Sequence, residues 1–128
     1  MERFFDFMGV HEHLDRALAA HQEALVGLEL ARAAEALAAY DRGLRAHIRE
    51  EETYVLPLYE ALVPGACDIE IYRGEHRRFE VLLDELAGRA ATLAAEGGPR
   101  AAVVALFDRE AVLKHLLEHH DLRERTAL

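Results

Sequence analysis

Leucine and alanine recur along this chain at intervals of three and four residues, the spacing that lines one side of an α-helix. Leu14, Leu18 and Leu25 mark one such stripe, and Phe79, Leu82, Leu83, Leu86 and Leu93 mark another beyond the midpoint. The period-two alternation of Val, Ile and Thr that announces strands is missing. Three breaks punctuate the pattern: Gly27-Leu28-Glu29, Pro64-Gly65-Ala66-Cys67-Asp68 and Gly97-Gly98-Pro99. They predict helices from Arg3 to Val26, Leu30 to Leu62, Ile69 to Ala95 and Arg100 to Leu128. Pro57 removes one donor and is expected to kink the last two turns of the second helix. Gly74 and Gly88 weaken the third. Gly97 suits the left-handed position after a helix, and Pro99 the first position of the next. Short connections then predict an all-α, up-down-up-down antiparallel four-helix bundle, one domain over residues 1–128.

Composition narrows the partners. The formal charge is -9, from 15 Lys+Arg against 24 Asp+Glu. With no Lys/Arg cluster to meet a phosphate backbone, no nucleic-acid partner is expected. No apolar run approaches the roughly 20 residues of a membrane span, and Met1 to Asp6 lacks a signal-peptide core, so no membrane is expected and the location read from the sequence is cytoplasmic. Cys67 is the lone cysteine. It excludes an intrachain disulfide and a thiolate cluster, which leaves nitrogen and oxygen to hold any metal.

The histidines carry the chemistry. His47-Ile-Arg-Glu-Glu51 and His120-Asp-Leu-Arg-Glu124 both place a carboxylate four residues after an imidazole, and Glu80 follows His76, and Asp15 follows His11, at the same interval. Residues four apart lie roughly 40° apart around a helix and about 6 Å along it. Glu29 stands midway between His11 and His47, and Gly98 midway between His76 and His120. If each midpoint is a turn, four histidines from four helices reach one layer. Imidazole and carboxylate from four facing helices are the donors of di-metal bundle sites, and the set suits iron or manganese, with zinc possible. Other histidines compete. His13 lies about 160° around the first helix from His11, and His21 about 15 Å nearer the turn. On the fourth helix His119 is about 100° from His120 and forms its own pair with His115. Within Glu50-Glu51-Glu52, Glu51 is expected inward and its neighbours solvated or capturing incoming cations. Tyr54, Tyr59 and Tyr72 are candidates to line a pocket, with Phe79 and Leu83 as an apolar wall.

The chain resembles the hemerythrin-like (HHE cation-binding) family over nearly its whole length. The resemblance is carried by His11-x2-Leu14-Asp15, His47-Ile-Arg-Glu-Glu-Glu-Thr-Tyr-Val-Leu-Pro57, Glu75-His76-Arg-Arg and His120-x3-Glu124. It implies two iron ions in a non-haem, oxo- and carboxylate-bridged centre that meets O2, nitric oxide or peroxide. The implied ligands are His11, His47, Glu51, His76, His120 and Glu124, to which the spacing adds Glu80 as a candidate. Oxygen-carrying hemerythrins have two histidines four apart in the third helix, where this chain has His76 and Glu80. A more acidic site favours the ferric state and opposes reversible oxygen transport. The few residues after Glu124 predict a frayed last turn.

The leading expectation is therefore a binding and sensing protein for O2, nitric oxide or oxidative stress rather than a turnover enzyme. A peroxidase-like enzyme or an iron storage, delivery and repair protein would use the same site. A helical interaction domain without metal is the third reading.

Overall fold

The computed structural model describes the backbone of residues 2–65 and 68–127 and the side chains of residues 10–65 and 68–124, so Cys67 lies outside the described residues. The apolar stripes do form helices: α1 (Glu2–Val26), α2 (Leu30–Glu50), α3 (Leu56–Leu62), α4 (Ile69–Glu96) and α5 (Arg100–Ala127). A π-helical turn, Glu51–Val55, joins α2 to α3, so these run as one rod and the described residues form four rods. The Leu56 N–H closes that wider turn onto the Glu51 carbonyl. The irregularity predicted at Pro57 thus begins about two turns earlier, at Glu51, and takes the form of a π turn. Gly74 and Gly88 sit inside an unbroken α4.

The rods pack antiparallel, as partner residues show. His21 meets Ala33, and farther down the same pair of helices His11 meets His47. Arg45 reaches Asp84 while Glu51 reaches His76. Glu85 meets Arg109 while Glu75 meets His120. The predicted stripe residues Leu14, Leu18, Leu25, Phe79, Leu82, Leu83, Leu86 and Leu93 are all buried. Their removal from water is the main favourable term in the fold. No helix among the described residues is long and apolar enough to cross a membrane.

The turns set the register of the functional residues. Between α1 and α2 the positive φ falls on Leu28, at 57°, rather than on Gly27. The Glu29 N–H returns to the Ala24 carbonyl at 2.9 Å, the closure of a helix ended by one left-handed residue. Gly97 takes φ 70° after α4. Pro99 immediately precedes α5 instead of occupying its first position, and its carbonyl accepts the Ala102 N–H. A Cβ on Gly98 would meet Leu93 at 2.7 Å, so this turn is pressed against the core.

Candidate metal centre

At the end of the bundle away from these two turns, four imidazoles from four rods point their Nε2 atoms at one interior point. His11 Nε2 and His47 Nε2 are 3.0 Å apart. His76 and His120 face them from α4 and α5, with ring centroids 4.9 Å apart. Glu51 stands between the two pairs. Its Oε1 is 2.5 Å from His47 Nε2, and its Oε2 is 3.0 Å from His76 Nε2 and 3.5 Å from His120 Nε2. Glu124 Oε1 lies 3.3 Å from His120 Nε2, and Asp121 Oδ1 lies 3.9 Å from His11 Nε2. His47, Glu51, His76, His120 and Glu124 are buried, and His11 is half-buried.

Ligand atoms here group in three overlapping sets, each within 4.8 Å: His11 with His47 and Glu51, Glu51 with His76 and His120, and His11 with Asp121 and Glu124. The cluster is short of positive charge. Both carboxylate oxygens of Glu124 are buried with no hydrogen-bond partner among the described residues. Burial, and then the charge of Glu51, push the Glu124 carboxyl up to about 10. Burial also raises Asp121 and lowers His11. Burial opposes the charge on Glu51, yet the hydrogen bonds of His120, His47 and His76 outweigh it and hold this carboxyl well below the usual range. A buried carboxylate without a donor is costly, and a cation would remove that cost. The residues present therefore fit a metal, and imidazole with carboxylate suits iron, manganese or zinc.

The outer nitrogens of two of these rings are also held. His76 Nδ1 donates to Glu52 Oε2 at 2.7 Å, and His120 Nδ1 donates to Glu75 Oε1 at 2.8 Å. Arg77 and Arg123 donate to the same carboxylates from the surface. The Tyr72 hydroxyl donates to the Arg123 carbonyl, and its ring meets His120 edge-on. Cluster residues line a cavity of about 30 Å³ together with Leu14, Tyr40, Leu44, Ile48, Phe79 and Leu117.

Of the residues singled out in the sequence, the structure brings together His11, His47, Glu51, His76, His120 and Glu124. It leaves Glu80 outside. The facing of α4, rather than the spacing from His76, puts Glu80 at the rim, where it accepts from Arg77 at 3.0 Å and faces Arg45 at 4.0 Å. Glu52 is half-buried and committed to His76 and Arg77 instead of standing in solvent to capture a cation. Asp15 is exposed and lines the cavity mouth. Tyr54 is exposed, and neither it, Tyr59 nor Tyr72 lines the cavity, a place taken by Tyr40. Leu83 is core rather than pocket wall. Glu124 is 3% exposed, and α5 runs on to Ala127.

The competing histidines separate clearly. His13, His115 and His119 are exposed, and the last two stack edge-on at 4.5 Å. His21 is fully buried but belongs to a second cluster nearer the turns. Its Nδ1 donates to the Ala33 carbonyl at 2.7 Å, and its Nε2 lies 2.5 Å from Glu110 Oε2. Gln22 donates to the other Glu110 oxygen, and Lys114 donates to Gln22.

Sequence reasoning gave no role at the centre to Asp121, Glu75, Tyr40 or Glu110, and expected Glu52 to be solvated or to capture cations. Asp121, Glu52 and Glu75 are each the chain neighbour of a singled-out residue, and all three stand within the quoted motifs. Comparison with known proteins agrees with the geometry. The description Hemerythrin HHE cation binding domain matches residues 4–128 of this chain. No curated protein and no solved structure matches it significantly. The chain belongs to the hemerythrin HHE cation-binding domain family.

Proposed function

We propose that this member of the hemerythrin HHE cation-binding family holds a pair of non-haem iron ions in the four-rod cluster and uses them to bind or sense O2, nitric oxide or peroxide. One observation carries the reading. Glu51 presents one oxygen to His47, beside His11, and the other to His76 and His120. A carboxylate placed this way would hold cations together with the imidazoles on either side of it. Glu124, adjacent to His120 and grouped with His11 and Asp121, supplies carboxylate oxygen from the fourth rod.

Iron bound there supplies redox change and an open coordination position for a small ligand. The chain's own residues do the rest. The imidazoles fix the spacing, and Glu51 joins the two halves. Phe79, Leu44 and Leu117 wall the cluster's own cavity with apolar surface, and its small volume leaves no room for an organic substrate. Half-buried Asp121 and exposed Asp15 at the mouth draw cations toward the cluster. This geometry suits binding and sensing better than turnover of a larger second substrate.

Elemental analysis and absorption spectra test the proposal. Protein produced in iron-replete medium is expected to carry about two irons per chain and to absorb in the near ultraviolet in air. His47→Ala and Glu51→Ala are expected to lose most of both signals. Wild-type protein that takes up no iron would overturn the assignment.

A further inference from the structure

We propose that Glu52 and Glu75 are positioning residues that fix the ring orientation and donor strength of His76 and His120 toward a bound metal ion. The inference rests on the metal reading above and goes beyond it by assigning residues that touch no cation.

The same three-part arm is built twice. On one side Arg77 Nη2 donates to both oxygens of Glu52, at 3.1 and 2.9 Å, and His76 Nδ1 donates to Glu52 Oε2 at 2.7 Å. On the other, Arg123 Nη2 donates to Glu75 Oε2 at 3.0 Å, and His120 Nδ1 donates to Glu75 Oε1 at 2.8 Å. Each arm runs from an exposed guanidinium through a partly shielded carboxylate to a buried imidazole. Each carboxylate also neighbours a cluster residue on a different rod: Glu52 follows Glu51, and Glu75 precedes His76. The α2 rod therefore orients the α4 ligand, and α4 orients the α5 ligand. Glu51 and Glu52 grip opposite nitrogens of the same His76 ring, at 3.0 and 2.7 Å, where the rod opens into its π turn.

The chemistry follows from the hydrogen bond. A carboxylate on Nδ1 holds the proton there and turns the Nε2 lone pair inward. It also pushes electron density into the ring, which strengthens the bond to a cation and favours its higher oxidation state. Arg77 and Arg123 hold the two carboxylates in place without entering the cluster.

The test uses anaerobic Fe(II) titration against a chromophoric chelator, followed by potentiometry, on wild type and on Glu52→Ala, Glu75→Ala, Glu52→Gln and Glu75→Gln. Alanine removes acceptor and charge and is expected to weaken binding of one iron about 10–100-fold. Glutamine keeps an acceptor but loses the charge. It should recover much of the affinity while raising the midpoint potential, a separation that a purely structural role would not give. Because Gln is nearly isosteric, it keeps the test valid if an alanine variant misfolds. Wild type that binds no Fe(II) defeats the metal reading itself. Wild type that binds normally, with all four variants within about twofold in affinity and unmoved in potential, overturns the positioning role alone.

Discussion

His21 and His47 are both buried histidines beside a glutamate, on adjacent antiparallel helices, and their surroundings make them different objects. Around His21 every hydrogen-bonding group is answered. Nδ1 is committed to the Ala33 carbonyl, so the contact between Nε2 and Glu110 contains one shared proton, and Gln22 answers the second Glu110 oxygen. Around His47 the count fails. Four Nε2 atoms converge on Glu51, Asp121 and Glu124, and both oxygens of Glu124 have no hydrogen-bond partner among the described residues. Residue type and burial are the same in both places, so neither distinguishes a structural pair from a metal site. The deficit of positive charge does.

The sharpest way to break this comparison is to truncate each histidine in turn. His21→Ala leaves Glu110 buried without its partner and is expected to cost about 3–5 kcal/mol of stability, read as a lower urea midpoint, with iron content per folded chain unchanged. His47→Ala is expected to empty the site, so iron content per folded chain separates the two variants. If His21→Ala emptied the site in folded protein, the two clusters would be one system.

A subtler effect concerns pH in the metal-free protein. Glu124 keeps its proton to about 10 in the folded state, whereas the unfolded chain releases it in the ordinary carboxylate range. Between those limits the native state binds the additional proton, so stability falls as pH rises. Asp121 is raised as well and adds to the same slope in its own range. His120 is also raised, because hydrogen bonds to Glu51 and Glu75 outweigh its burial, and it adds to the slope above the ordinary histidine range. His11, lowered by burial, gives the opposite slope, confined to below the ordinary histidine value. Urea midpoints should therefore drop from neutral pH toward alkaline pH, and Glu124→Gln should flatten the drop. Metal-loaded protein should not show it. A midpoint that climbs over this range would contradict the charge deficit.

The smallest expected effect is at the rim. Glu80→Ala removes rim pairs with Arg77 and Arg45 and should change stability by no more than about 1 kcal/mol, with iron content unaltered. Loss of metal in this variant would return Glu80 to the cluster.

Much of this was legible along the chain. Helical spans followed from periodicity and Gly/Pro breaks, because burial of one face and the backbone's φ limits are local rules. The shared height of His11, His47, His76 and His120 followed from counting outward from the turns. Glu80 misled because its interval from His76 is the same as that between His47 and Glu51. Spacing alone fixes an angle on one helix and not the direction in which that helix faces. Asp121, Glu52 and Glu75 were hidden for the same reason, since each points to a rod other than its neighbour's. Tyr40 and Glu110 gave no motif at all, being lone residues whose surroundings come from distant sequence.

The order of residues by itself determined four amphipathic rods, their turns and a layer of imidazoles at one height, since each depends on intervals within a helix or between a helix and its turn. Only tertiary packing decided which carboxylates share that layer, which brace it from outside and which buried histidine is already satisfied. Those outcomes depend on rotation of each rod about its own axis, which is settled jointly by all four faces when the core closes.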